Sequence, residues 1–493
     1  DKLEKYHNQY FLINDPQEKK ILKKKIDDIE DQLIQSKCNE ELTRLKEQAA
    51  NPANSKKIPK ITEQQLAIQG TLNQWKKDHL RPFFPWKLHF GDVFNERAGF
   101  DIVIANPPYI DSESMVNSGQ ENVRNAIQNT YFFTRGNWDI YIAFFELAYN
   151  LLNQLGTEVF ITPDKWLSKP FGEALRTQTV KNLYMLVSAG RDVFEGSKVD
   201  SVISFFSKNS TSNLKILEFN KQQFLIKKII KKSVLKIPYA FDWLFSDYLE
   251  LLMKIDQQPK ELSNYGVCKN ACATSDAYKL KPYIEELKGN YSKKYLKIIN
   301  TGTIGKFYSR WGTREMTYLG LKYLKPIIDR KKFLETFTNS YGNKSILPKI
   351  ILKGLNLLDA CLDIEGDIVP GKSTLIITSK NTEYLKCLLA IINSKFAFFY
   401  LKEKYISSSY NQGISYSKDM INHLPLFIID EDIVQRFNVI VDAILKIVAT
   451  DDYALNQLKQ KQVQEYQKKV DEIIYDFYGI TKKEVQIIEE NIK

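Results

Sequence analysis

A chain of 493 residues, 43% hydrophobic and 12% aromatic, can bury large cores, which excludes a disordered protein and points to two or three domains. Its 70 Lys and Arg against 59 Asp and Glu give a formal charge of +11, which favours a polyanionic partner, nucleic acid first. Five cysteines, at 38, 268, 272, 361 and 387, are too few and too scattered for a disulfide framework and suit a reducing cytoplasm, and no apolar run reaches membrane-spanning length.

Residues 1–82 are highly charged. Leu22, Ile26, Ile29 and Leu33 recur there at helical spacing, which predicts a charged helical arm or insertion. Residues 83–214 read as mixed α/β sequence. FDIVIAN (100–106), TEVFITP (157–163), LYMLVSA (183–189) and VISFFSK (202–208) have strand character. DIYIAFFELAYNLLNQLG (139–156), closed by Gly156, and FGEALRTQTVKN (171–182) have helical character. This alternation predicts a largely parallel, doubly wound sheet. Residues 215–430, in which the basic run KKIIKKSVLK at 227–236 reads as a connector, are rich in short strands, Tyr and Lys and read as a second α/β domain. Residues 431–493 are helical, with apolar spacing through Ile433, Phe437, Ile440, Ile444 and Ile447; a capping box at Thr481–Glu484, just after Gly479, starts the last helix.

The strand FDIVIA runs straight into Asn106-Pro107-Pro108-Tyr109, where two prolines forbid both a continuing ladder and a helix. In an open α/β sheet, ligands bind beyond the carboxyl ends of the strands, which is where this corner lies. The prolines fix the backbone, so the Asn106 side-chain oxygen and the Pro107 carbonyl form a rigid pair of acceptors suited to one exocyclic amino group. Tyr109 adds a flat face on which an extruded base can stack.

Around this corner, GDVF (91–94), GNWDIYIAFFELAYNLL (136–152), VFITPDKWLSKPFGEALR (159–176) and DVFEGSKVDSVISFFSK (192–208) resemble segments of one family. It comprises the N6-adenine DNA methyltransferases whose specificity domain follows the catalytic domain, as in TaqI-type and Type IIG restriction–modification enzymes. INTGTIGKFYSRWG (299–312) and LLAIINSKFAFFYLKEKY (388–405) are similar to segments of the specificity domain. The resemblance implies an α/β fold: a partial class I methyltransferase-like sheet after the helical arm, a target-recognition domain at 215–430, then C-terminal helices. It implies methyl transfer from S-adenosylmethionine to adenine N6 in double-stranded DNA, with Asn106, Pro107, Pro108 and Tyr109 catalytic. It also implies that Tyr109 and Phe194 sandwich the flipped base and that Asp92 faces the cofactor's adenine.

One departure stands out. The family's Gly-rich cofactor loop precedes the catalytic strand, whereas the only glycine here before Gly91 is Gly70. The chain also starts on Asp1 in charged helical sequence. Both features lead us to expect the C-terminal portion of a larger protein, with an incomplete cofactor site and magnesium required only if an upstream nuclease domain exists. The main alternative is a DNA-binding specificity module without catalysis of its own; a protein or RNA methyltransferase with a similar corner is a second. Lys227, Lys228, Lys231, Lys232, Lys306, Tyr308, Arg310 and Trp311 are candidate DNA contacts, although Lys runs are commonly solvated faces and the aromatic cluster equally suits a domain interface. Cys268 and Cys272 read as small hydrophobes. None of His7, His79, His89 and His423 stands at ligand spacing with another His or Cys, so no metal site is expected. An acid-then-Glu-x-Lys nuclease pattern through Asp276 and Glu286-Leu287-Lys288 is discounted as chance in a charged chain.

Overall fold

The computed structural model describes residues 2–51, 58–78, 84–190, 193, 200–209, 211–219, 222–235, 240–410 and 413–491. The charged N-terminal sequence forms three helices, α1 (Lys2–Leu12), α2 (Pro16–Ala50) and α3 (Ile58–Asp78). Asp15 starts α2: its carboxylate accepts from the Gln17 and Glu18 amides at 2.9 and 2.8 Å, and Pro16 takes the first helical position. Leu22 and Ile26 are buried as their spacing predicts, but Leu33 is 47% exposed while Glu30 is fully buried. The inward face of α2 is thus part polar, because Glu30 points at two histidines.

Two short helices, α4 (Trp86–His89) and α5 (Gly91–Arg97), lead into the main sheet. Its strands are β1 (Phe100–Ala105), β2 (Leu152–Pro163), β3 (Leu183–Gly190), β4 (Ser201–Ser207), β5 (Asn213–Phe219) and β6 (Phe224–Lys231), in spatial order β1-β2-β4-β3-β5-β6. Pairs β1–β2 and β3–β5 are parallel; β2–β4, β3–β4 and β5–β6 are antiparallel. The sheet is therefore mixed rather than largely parallel, because β4 and β6 each return directly beside their neighbours. Four strands, β1, β2, β3 and β5, still end at one edge, and the Asn106–Tyr109 corner lies there.

The helix expected to close at Gly156, α6 (Tyr141–Leu151), stops five residues earlier, and Gly156 lies inside β2. A Cβ at Gly156 would stand 2.7 Å from the Phe100 carbonyl, so this glycine admits the close approach of β1. On its far side β1 has no partner among the described residues, and Ile102 and Ile104 are 61% and 73% exposed. The first half of the basic run, residues 227–231, lies in β6 rather than in a connector, and the boundary expected at 214/215 falls within β5.

Beyond the sheet lie two four-stranded sheets. One orders Ala360–Asp363, Lys349–Lys353, Thr374–Thr378 and Val267–Asn270, all antiparallel. The other orders Ile368–Pro370, Tyr295–Ile299, Pro326–Asp329 and Glu285–Glu286. Helices Glu383–Ile392 and Lys395–Lys404 are almost wholly buried, and among the described residues no single helix is long and apolar enough to cross a membrane. The expected C-terminal helices are Glu431–Val448, Gln457–Phe477 and Lys482–Glu490; the Thr481 box caps the last, and Gly479 adopts φ 61°. One continuous core joins Phe145, Trp166 and Phe206 of the sheet domain through Phe241 and Trp243 to Phe399 and Phe437. The C-terminal helices are thus built onto the sheet domain.

Lys349 and Asp363 form a fully buried ion pair, and Asp363 also accepts from the Ile368 amide at 3.1 Å. Lys349→Met should lower unfolding stability by about 3–5 kcal/mol, because an uncompensated carboxylate is left in the core. Lys349→Met with Asp363→Leu should recover most of that loss, as read by urea denaturation. Equal loss in the single and double variants would contradict this account.

Candidate active site

The corner is held in place by the segments it meets. After β1, Asn106 is exposed and Pro107 buried. The Tyr109 hydroxyl lies 2.7 Å from Asn106 Oδ1 and 3.1 Å from the Ile161 carbonyl on β2, so one phenol spans the carboxyl ends of both strands. Its ring is 38% exposed and meets Tyr141 edge-on, with centroids 6.2 Å apart. The chain after the corner pairs with residues 138–140: Ser112 N donates to Trp138 O and Ile140 N to Ile110 O, both at 2.8 Å, with Asp111 bridged to Asp139. Asp111 then caps the following helix by accepting from Ser114 N at 2.8 Å.

This pairing brings in residues whose roles the sequence alone did not reveal. Asp139 is 8% exposed, and burial raises its pKa. The fully buried Tyr141 is also raised by burial, then by the charges of Asp139, Asp164 and Tyr109, which places these groups around one site. Asp164 stands directly after β2 and its pKa is pushed up to about 7, first by burial and then by Asp200 and Asp242. Its amide donates to Asp200 O at 3.0 Å. The buried Arg176 donates to Trp166 O and Lys169 O at 2.5 and 2.9 Å, and the charge of Asp242 acts on it. The site offers a fixed amide oxygen, a half-exposed aromatic face and carboxyls that resist ionisation. Such a set can orient a planar group bearing an amino function.

Residues 16–194 match the family described as the Eco57I restriction-modification methylase. The match covers 179 of the 493 residues, a little over a third of the chain. The chain is 24% identical over 301 residues to RM.MjaORFECS2P of Methanocaldococcus jannaschii, covering 59% of this chain and 22% of that protein. It is 26% identical over 161 residues to RM.Eco57I of Escherichia coli, a Type II restriction enzyme and methyltransferase, covering 32% of this chain and 16% of that one. The chain therefore spans less than a quarter of either relative. Among solved structures it resembles the Type IIL restriction-modification enzyme MmeI in complex with DNA, with TM-score 0.47 and 11% identity over 83% of this chain and 58% of that chain.

Within the matched segment, Asp92 lies not in a loop but in the first turn of α5, partly buried and close enough for its charge to act on His7. Gly70 lies mid-way along α3, so no glycine-rich loop exists among the described residues before Asp92. Phe194 lies outside the described residues.

The other candidate DNA contacts separate clearly. Lys306 is withdrawn from that role: its ammonium is buried and donates to Asn393 O at 2.9 Å. Lys227 pairs with Glu218 at 2.7 Å and Lys228 with Glu250 at 2.8 Å; Lys232 donates to Lys181 O, and burial lowers its pKa to about 8. Lys231 is exposed. Trp311 is spent on the fold, donating from Nε1 to Pro326 O at 2.8 Å. Tyr308 and Arg310 line a groove of about 520 Å³ with Arg314, Tyr453, Gln460 and Gln464. The discounted nuclease pattern is structural in use: Glu286 accepts from the Leu324 and Lys325 amides, and Asp276 from Asn339.

Asp164 binds its proton more tightly folded than unfolded, so its contribution to stability is full below pH about 4 and is lost as pH rises through about 7. Asp164→Asn should therefore stabilise the methylase domain at pH 8 by about 2 kcal/mol and change little at pH 4, as read by thermal unfolding. An equal effect at both pH values would show that the carboxyl is not held protonated.

Proposed function

We propose that this chain carries the target-base site and DNA-recognition portion of a site-specific N6-adenine DNA methyltransferase within a restriction–modification system. The observation that carries the reading is the Asn106-Pro107-Pro108-Tyr109 corner, clamped at the carboxyl ends of two parallel strands with Asn106 exposed. S-adenosylmethionine supplies an activated methyl group. The residues present then have to position the nucleophile. The adenine amino nitrogen is weakly nucleophilic because its lone pair is delocalised into the ring. Hydrogen bonds from that amino group to Asn106 Oδ1 and the Pro107 carbonyl favour a pyramidal nitrogen whose lone pair is free to attack.

In the free protein the Tyr109 hydroxyl occupies Asn106 Oδ1. The incoming amino group takes over that acceptor, and the hydroxyl keeps the Ile161 carbonyl. A duplex hides the amino nitrogen, so the base must be flipped out, and stacking on Tyr109 offsets part of the cost. Phe194 is proposed for the opposite face. The cofactor's glycine-rich loop and neighbouring strands are proposed to come from polypeptide that pairs with the open edge of β1. The exposed Ile102 and Ile104 support this, because an apolar edge strand is poorly tolerated in water. Residues 240–430, with Tyr308, Arg310 and Arg314, are proposed to grip the duplex through phosphates and read base edges.

Asn106→Ala should reduce methyl transfer to DNA by at least about 100-fold, as loss of one preorganised group in a transition-state site does. DNA affinity, measured by fluorescence anisotropy, should change less than about threefold, since the phosphate contacts are untouched. Substantial transfer by the variant would overturn the assignment of Asn106.

A further inference from the structure

Two of the histidines that are far apart in sequence meet in the fold. His7 on α1 and His89 at the end of α4 converge on Glu30 of α2, with His7 Nε2 3.4 Å and His89 Nδ1 3.0 Å from the same oxygen, Glu30 Oε1. The three donor atoms all lie within 4.8 Å of one another. Glu30 is fully buried, His7 is 7% exposed and the His89 side chain 26%. The imidazole rings are tilted by 56° with centroids 4.9 Å apart, so they converge on the carboxylate rather than stack.

We propose that His7, Glu30 and His89 form a binding site for a divalent transition metal of the zinc class, which fastens the N-terminal arm to the segment leading into β1. Ligand atoms about 2.0–2.1 Å from a tetrahedral ion stand roughly 3.3 Å from one another, the separation that both histidine nitrogens keep from Glu30 Oε1. Two imidazoles and a carboxylate suit zinc, cobalt or nickel better than magnesium or calcium, which prefer all-oxygen shells. A Glu30–His89 hydrogen bond alone leaves one feature unexplained. His7 Nε2 is buried and, among the described residues, makes no well-formed hydrogen bond, its 3.4 Å approach to Glu30 Oε1 being its one polar contact there, although a poorly satisfied ring nitrogen in the interior is costly. A metal in the space between the three groups uses that nitrogen. The fourth position is left to water, and His89 is the most open of the three ligands.

The site is tested on the whole chain, stripped with a chelator and titrated first with zinc against a chromophoric competitor and then with cobalt(II). One equivalent of zinc should bind with Kd below about 1 μM, cobalt should give the intense visible absorption of a tetrahedral ion, and zinc should raise Tm. His7→Gln and His89→Gln, made singly, should each weaken zinc binding by about 100-fold or more and abolish the Tm rise. His423→Gln, at a histidine that pairs with Glu261 elsewhere in the fold, should change nothing. No zinc binding by the unaltered chain, or equal binding by the His7 and His89 variants, would overturn the proposal. Should either variant fail to fold, the cobalt spectrum of the unaltered chain decides: an octahedral spectrum, or none, refutes the site.

Discussion

The Tyr109 hydroxyl, shared between the side chain of Asn106 and the Ile161 carbonyl, is the contact on which the site depends. It ties the ends of β1 and β2 across their parallel pairing. The double proline removes the backbone freedom that would let Asn106 swing away. Without that brace, an exposed loop asparagine would sample several rotamers and present no fixed acceptor. Gly156 serves the same arrangement from the far end, because only a residue without a side chain lets the Phe100 carbonyl come so near. The two strands are thus held together at both ends, and the corner inherits their rigidity.

Around the clamp, burial rather than charge pairing sets the electrostatics. Asp139, Tyr141 and Asp164 are each pushed toward their protonated forms chiefly by desolvation. Carboxyls held back from ionisation repel an approaching polyanion less strongly than fully ionised acids would. The positive charge of the chain is concentrated less than its total suggests. Lys227 and Lys228 are neutralised by glutamates, and Lys232 and Lys306 are turned onto backbone carbonyls. Arg310 and Arg314 stand in an open groove instead.

The corner was legible in the sequence because its four residues are consecutive and prolines restrict the chain whatever surrounds them. The strands FDIVIA and TEVFITP were legible for a similar local reason, as was the Thr481 cap. The mixed order of the sheet was not, because the direction of β4 depends on where the chain turns after Gly190. The lysine-rich β6 reads as a linker, since an edge strand with charges on both faces lacks apolar alternation. Asp139 and Asp164 lay within segments already singled out, and an acid directly after a strand, as in Ile161-Thr162-Pro163-Asp164, was a usable signal. The meeting of His7 with His89 had none: 82 positions separate them, and the packing of α1, α2 and α4 brings them together. Lys306 and Trp311 carry chemistry that suits DNA, yet the fold spends both on its own carbonyls.

The account stands on the claim that the corner holds an adenine amino group. Its most direct test is to react the protein, together with the polypeptide proposed to pair with β1, with duplex DNA and isotopically labelled S-adenosylmethionine, and to analyse the digested nucleosides by mass spectrometry. The account predicts label in N6-methyladenine and in no other nucleoside. Label in a methylated cytosine, or in none of the bases despite tight binding of cofactor and DNA, would contradict it.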